Sequence, residues 1–199
     1  MDPRIRCAEE SDAPAIRDIY APFVSDSATS FETDPPEVPT MAQRIRDIRE
    51  TFPWLVFDAG GQVLGYAYAS LHRPRKAYQW CVEASVYVDG RARGRGVGRA
   101  LYGSLFDLLR RQGVVNVYAG ITLPNAASVA LHESFGFSTV GLYPRIGFKF
   151  GKWHDVVWLE RRLQDPAVPV PELIPAPKLF ADPGVASMLL DHARRAKTG

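Results

Sequence analysis

The sequence predicts a mixed α/β fold, one sheet carrying helices on its faces. Three observations support this. Strand-like runs and stretches with helical apolar spacing alternate through residues 1–164. The pair Gly60–Gly61 separates two strand-like runs, which is a hairpin signal. A glycine-rich turn also links the strand-like SVYV (85–88) to an amphipathic stretch.

The elements follow in chain order. Residues 5–8 read as a first strand, after which Ser11 or Asp12 caps a helix running to about Val24. Ile16, Ile19, Tyr20 and Phe23 are spaced for one face of that helix. Residues 27–32 look extended, and Pro35, Pro36 and Pro39 mark a loop. Thr40 caps a second helix that reaches about Glu50. Residues 54–71 form two strands about the hairpin, and 77–88 form a long third. The helix at 97–112 carries Leu101, Leu105, Leu108 and Leu109 on its inner face. A strand at 114–121, a helix near 125–134, a short strand at 137–143 and a last strand around 154–163 complete the pattern.

A domain boundary is expected near Leu163–Gln164, giving a domain of 1–164 and an extension of 165–199. The extension holds Pro166, Pro169, Pro171, Pro175, Pro177 and Pro183, and its alternation of proline with apolar residues reads as a polyproline-like strap. One short helix begins near Asp182 or Pro183.

Composition narrows the function. Twenty-four Lys and Arg against 22 Asp and Glu leave a net charge of +2, which argues against bulk electrostatic binding to nucleic acid or membrane. Cys7 and Cys81 lack metal-site spacing, and the four histidines show no paired helical spacing, so no metal is expected. The first residues lack an apolar signal core, and no long apolar run occurs, so a cytoplasmic protein is expected.

The chemistry concentrates at the glycine turn. Gly94, Gly96 and Gly98 let backbone amides approach an anion closely at a helix N-terminus. Arg91, Arg93, Arg95 and Arg99 add guanidinium groups suited to phosphate. No Gly-Lys-Ser/Thr is present, and the G-x-G-x-G spacing lies mid-chain, so neither a triphosphate loop nor a dinucleotide fingerprint fits. A different diphosphate is left, and coenzyme A suits it.

At these residues the sequence resembles the GCN5-related N-acetyltransferases, the GNAT family. Arg93-Gly94-Arg95-Gly96-Val97-Gly98 matches the family's pyrophosphate signature, and the second block appears from Asn125 through Ser128 and His132 to Gly136-Phe137. Blocks such as SFE around Phe31, RPRKAY at 73–78, VEASVYV at 82–88 and GFKFGKWHDVVWLE at 147–160 resemble the phosphinothricin and methionine sulfoximine acetyltransferase branch. The tail after 164 has no counterpart in the resemblance. It implies a mostly antiparallel central sheet whose strands splay to make an acetyl-CoA cleft, and a homodimer.

The resemblance also assigns roles. Glu83 matches the family's base, suited to taking a proton from an ammonium group. His132 stands where many relatives carry a tyrosine that protonates the departing thiolate; it can serve as acid, as second base or in packing. Val86, Tyr87 and Val88 pair with the pantetheine arm, residues Arg93 to Arg99 hold the diphosphate, and Asn125 and Ser128 contact the cofactor. For the acceptor, Arg73, Arg75 and Tyr78 face a small anionic amino acid, with Ser85 nearby. Phe31, Lys149, Trp153 and His154 are further pocket residues, from this subunit or its neighbour. The expected activity is acetylation of a small amino acid or analogue. Other amines (a polyamine, an aminoglycoside, a protein amine) and a non-catalytic acyl-CoA sensor are the alternatives.

Overall fold

A computed structural model describes residues 2–196; residues 197–199, the end of the expected extension, lie outside it. Seven strands form one sheet: β1 (Arg4–Cys7), β2 (Trp54–Ala59), β3 (Gln62–Leu71), β4 (Cys81–Val88), β5 (Asn116–Thr122), β6 (Ser138–Lys149) and β7 (Lys152–Arg162). Their order is β1-β2-β3-β4-β5-β7-β6. Every neighbouring pair is antiparallel except β4–β5, which is parallel. Six helices accompany the sheet among the described residues: α1 (Ala13–Ser25), α2 (Val38–Arg49), α3 (Val97–Gln112), α4 (Ala126–Glu133), α5 (Ala176–Phe180) and α6 (Pro183–Arg194). No described helix is long and apolar enough to cross a membrane.

Alternation along the strands separates two cores. Leu55, Phe57, Ala67, Ala69, Val82 and Ala84 face α3 together with its buried leucines. Trp54, Val56 and Tyr66 face the other way, against Ile16, Ile19 and Tyr20 of α1 and Met41 and Ile45 of α2. Apolar residues on both faces of β2 suit a sheet covered on both sides.

Several boundaries differ from the sequence reading. Asp12 stands at the N-cap of α1, but its side chain makes no cap hydrogen bond there. Glu9 caps a short 3₁₀ turn, Glu10–Asp12, that runs into the helix. The Asp12 carboxylate is instead occupied by the Glu9 amide at 2.7 Å and by the Arg6 guanidinium at 2.7 and 2.8 Å. Glu37 precedes α2 and Pro39 falls in its first turn, where a missing N–H costs nothing, so Thr40 is inside the helix. β4 starts only at Cys81, because residues Lys76–Tyr78 coil into a 3₁₀ turn. β6 runs to Lys149 rather than ending near 143. Pro144 and Arg145 break the alternation, yet the strand resumes after a register shift between Tyr143 and Gly147.

The register creates the functional feature. β3 pairs with β4 from Leu71↔Val82 to Gly65↔Val88. β4 pairs with β5 only from Cys81↔Asn116 to Glu83↔Tyr118, whereas β5 stays paired to β7 as far as Thr122↔Val156. Beyond Glu83 the two central strands therefore separate, as expected of the splayed sheet. The β5-facing edge of residues 84–88 has no strand partner among the described residues.

The proline-rich extension packs on the domain. Trp80 Nε1 donates to the Pro171 carbonyl at 2.9 Å, and the Ile174 and Ala176 amides donate to Gln112 and Thr51 carbonyls at 3.0 and 3.1 Å. Helix α5 was not anticipated, since Pro175 and Pro177 resemble a continuing strap; Pro177 instead sits in the first turn. Asp182 caps α6 by accepting from the Gly184 amide at 2.8 Å. Val185, Leu189 and Ala193 of α6 join the α3-side core. Gly103 of α3 leaves room for the His192 ring, whose Nε2 bonds Asp107 Oδ2 at 2.8 Å and holds that carboxyl below its ordinary range.

Candidate active site

The separation of β4 from β5 opens a cavity of about 70 Å³ between their carboxyl-terminal halves. Ser85, Val86 and Tyr87 form one wall, Gly120, Ile121 and Thr122 the other, and Tyr102, Asn125, Ser128 and His132 close it from the helix side. Thr29 adds a rim contact. Each wall exists because one strand's backbone is paired on its far side only, so the edges turned toward the gap remain open to a ligand.

At the apex stands Glu83, with its carboxylate partly exposed. His72 Nδ1 lies 2.9 Å from Glu83 Oε1. The imidazole stacks on Tyr118 at 4.6 Å and meets the edge of Trp158 at 5.8 Å. In the sequence His72 stands out only as a histidine without metal spacing. Its signal is positional: Ser70 pairs with Glu83, so His72, two residues on, projects from the same face.

On the opposite wall His132 is 3% exposed. Its Nδ1 lies 2.7 Å from the Ser128 carbonyl and its Nε2 3.0 Å from the Tyr102 hydroxyl. Burial lowers the imidazole pKa below its ordinary value and raises that of the Tyr102 phenol. Tyr102 escapes a sequence reading because it follows Leu101 on a helix whose apolar stripe reads as core.

The glycine turn supplies an anion cradle. Gly96 takes φ of 85° as the residue before α3, a conformation only glycine adopts without strain. A Cβ on Gly96 would meet Ala196 of the extension at 3.5 Å. On Gly98 it would come 3.4 Å from Val88 and near Leu131 and Val86, so this glycine packs the helix start closely on β4. Val97 is buried and anchors the helix start.

The arginines divide. Arg91 is engaged with Asp89 at 2.6 Å, and Arg99 donates to Ser134 Oγ at 2.9 Å while lying over Phe135. Arg93 and Arg95 are exposed and have no carboxylate partner among the described residues. Arg93 lies over the Phe23 ring at 5.3 Å, and open amides beside two guanidinium groups without carboxylate partners fit a diphosphate. Asn125 caps α4, with Oδ1 accepting the Ser128 amide at 3.1 Å, which leaves its Nδ2 for a ligand.

The predicted acceptor residues separate into two groups. Arg73, Arg75 and Tyr78 lie exposed on the β3–β4 connection, just beyond Glu83 and His72. Lys149 is committed elsewhere. Its ammonium donates to the Val24, Ser30 and Glu32 carbonyls at 2.6, 2.8 and 2.7 Å, using all three hydrogens. It ties the end of α1 and the loop after it to the β6–β7 hairpin and has no hydrogen left for substrate. His154 is buried with Nε2 donating to the Lys149 carbonyl at 3.0 Å, so it too braces the hairpin. Phe31 covers Gly147, and Trp153 stands exposed against Phe148 at 5.4 Å; neither lines the cavity of its own chain.

A strand splay, a glycine turn opening the following helix and a carboxylate at the apex form one constellation, and comparison with known proteins gives it a family. The profile of the acetyltransferase (GNAT) domain matches residues 5–158. The chain belongs to the GNAT acetyltransferase family. It is 38% identical to a phosphinothricin N-acetyltransferase of Streptomyces viridochromogenes, over 84% of this chain and 91% of that protein. It is 36% identical to a methionine sulfoximine/methionine sulfone acetyltransferase of Pseudomonas paraeruginosa, over 86% of this chain and 100% of that one. A phosphinothricin acetyltransferase from Sinorhizobium meliloti, solved with acetyl-CoA, superimposes with a TM-score of 0.79 at 36% identity, covering 85% of this chain and 96% of its own. GNAT enzymes take their acetyl group from acetyl-CoA, and this one is an acetyl-CoA-dependent N-acetyltransferase.

Proposed function

We propose that this GNAT enzyme acetylates the amine of a small anionic amino acid or analogue, of the phosphinothricin or methionine sulfoximine type, by direct transfer with Glu83 as general base. The observation that carries this reading is the end of β4–β5 pairing at Glu83, which sets one carboxylate at the apex of an open backbone cleft. Acetyl-CoA supplies the activated acyl group. The free edge of Val86, Tyr87 and Val88 receives the pantetheine arm as an added strand. Amides from Gly94 to Gly98, with Arg93 and Arg95, hold the diphosphate, and Asn125 and Ser128 contact the arm as it enters.

An amine must lose its proton before it attacks, and Glu83 takes that proton, directly or through one water. Arg73 and Arg75 offer paired donors to the acceptor's carboxylate or phosphinate, and Tyr78 and Ser85 complete its surroundings. Two exposed cations beside the apex favour an anionic acceptor over a polyamine or an aminoglycoside. Tyr102 and His132 provide the polar wall on the side away from Glu83. Phe31 and Trp153, exposed on the hairpin side, reach substrate from the second subunit of a homodimer.

The variant Glu83→Gln keeps the shape of the site and removes the base. We expect kcat to fall about 10²–10⁴-fold with KM for acetyl-CoA little changed. An unaltered kcat removes Glu83 from the mechanism.

A further inference from the structure

We propose that His72 is a positioning residue for the base: it donates a hydrogen bond from Nδ1 to one Glu83 oxygen, fixes the carboxylate, and leaves the other oxygen to meet the amine. This rests on the reading of Glu83 as base. The contact is 2.9 Å from Nδ1 to Oε1, between side chains 16% and 34% exposed, so water competes with it only partly. A carboxylate with its charge intact only accepts, and the shared hydrogen therefore belongs to Nδ1. In the neutral ring Nε2 then carries the lone pair, a tautomer imposed by the partner.

Two aromatic neighbours fix the imidazole. It lies nearly parallel to Tyr118, at 20° and 4.6 Å between centroids, and edge-on to Trp158 at 75° and 5.8 Å. Both partners come from strands that carry the cleft: Tyr118 is opposite Glu83 on β5, and Trp158 is opposite Gly120 on β7. The ring is thus held by β5 and β7 while it bonds a side chain of β4, at the place where β4 and β5 part. A carboxylate free to rotate there would sample many orientations; one oxygen anchored to a stacked ring removes that freedom.

Three variants separate the hydrogen bond from the stacking. His72→Phe keeps an aromatic ring on Tyr118 but has no donor, and kcat should fall about tenfold, with KM for acetyl-CoA and the melting temperature unchanged. His72→Asn places Nδ2 near the position of Nδ1 and should recover most of that loss. In the Glu83→Gln background, His72→Phe should cost nothing further. If His72→Phe retains wild-type kcat while Glu83→Gln loses it, the His72 proposal fails and the Glu83 reading stands. If Glu83→Gln itself is unaffected, the Glu83 reading fails, and with it the role of its partner. Nitrogen-15 spectra of labelled histidine give a readout without any acceptor. At a pH where the ring is neutral, His72 should carry its hydrogen on Nδ1, and Glu83→Gln should change that signal. A hydrogen on Nε2, indifferent to the Glu83 substitution, overturns the proposal.

Discussion

His132 gives its Nδ1 hydrogen to the Ser128 carbonyl, because a carbonyl has none to offer, and its Nε2 then accepts from the Tyr102 hydroxyl at 3.0 Å, with the Ala84 carbonyl a second, longer acceptor for that hydroxyl at 3.3 Å. Burial lowers the His132 pKa, so protonating the ring in the fold is opposed. His132 and Tyr102 both line the cavity and are joined by this bond, so we propose that they act as one unit. Tyr102→Phe and His132→Phe should each lower kcat about tenfold, and the double variant should be no worse than either alone. Multiplying losses in the double variant would show that the two act independently. At this scale the site is half legible in the sequence. His132 sits in a recognisable block, and Glu83 precedes the glycine turn by one strand. Tyr102 and His72 are hidden, because their roles depend on neighbours 30 and 11 positions away. Lys149 misleads for a related reason: a lysine in a diagnostic block says nothing about three carbonyls from the end of α1 and the loop after it, more than a hundred residues upstream.

At the scale of elements, alternation and turn chemistry locate the strands, the Gly60–Gly61 hairpin and helix α3, whose signals are local. Boundaries fail where prolines and bulges intervene, at the start of α2, at α5 and along β6. The β6 error matters most. Its full length creates an edge strand with Val140, Leu142, Ile146 and Phe148 exposed, and Trp153 of β7 stands beside them. An exposed apolar edge invites pairing, and native chains cover such edges or charge them. We propose that the homodimer, if it forms, pairs along this edge. Light scattering should give twice the 22.1 kDa chain mass, and Phe148→Asp should return single chains. A wild-type protein of single-chain mass contradicts this assignment.

For the molecule as a whole, the near-neutral balance of +2 hides a local distribution. Of four arginines around the glycine turn, Asp89 and Ser134 engage two, and Arg93 and Arg95 are left for an anion. The extension is likewise more than a strap. The P. paraeruginosa relative is covered in full by 86% of this chain, so such a surplus is unnecessary for the shared fold. Here α6 buries Val185 and Leu189 on α3, a gain of about 1.5–3 kcal/mol for each side chain fully buried, and the chain after it rests on Gly96. Sequence periodicity identifies α6 but not where it docks, because docking depends on Gly103 accepting His192. The acceptor class is the central claim, and thiol release tests it directly. With acetyl-CoA present, purified protein should release coenzyme A on addition of phosphinothricin or methionine sulfoximine. The kcat/KM for these acceptors should exceed that for spermidine, an aminoglycoside or a peptide amine by at least about tenfold, one charge-assisted contact's worth. Faster turnover of the polycations, or saturable coenzyme A binding with no turnover of any acceptor, would contradict the account.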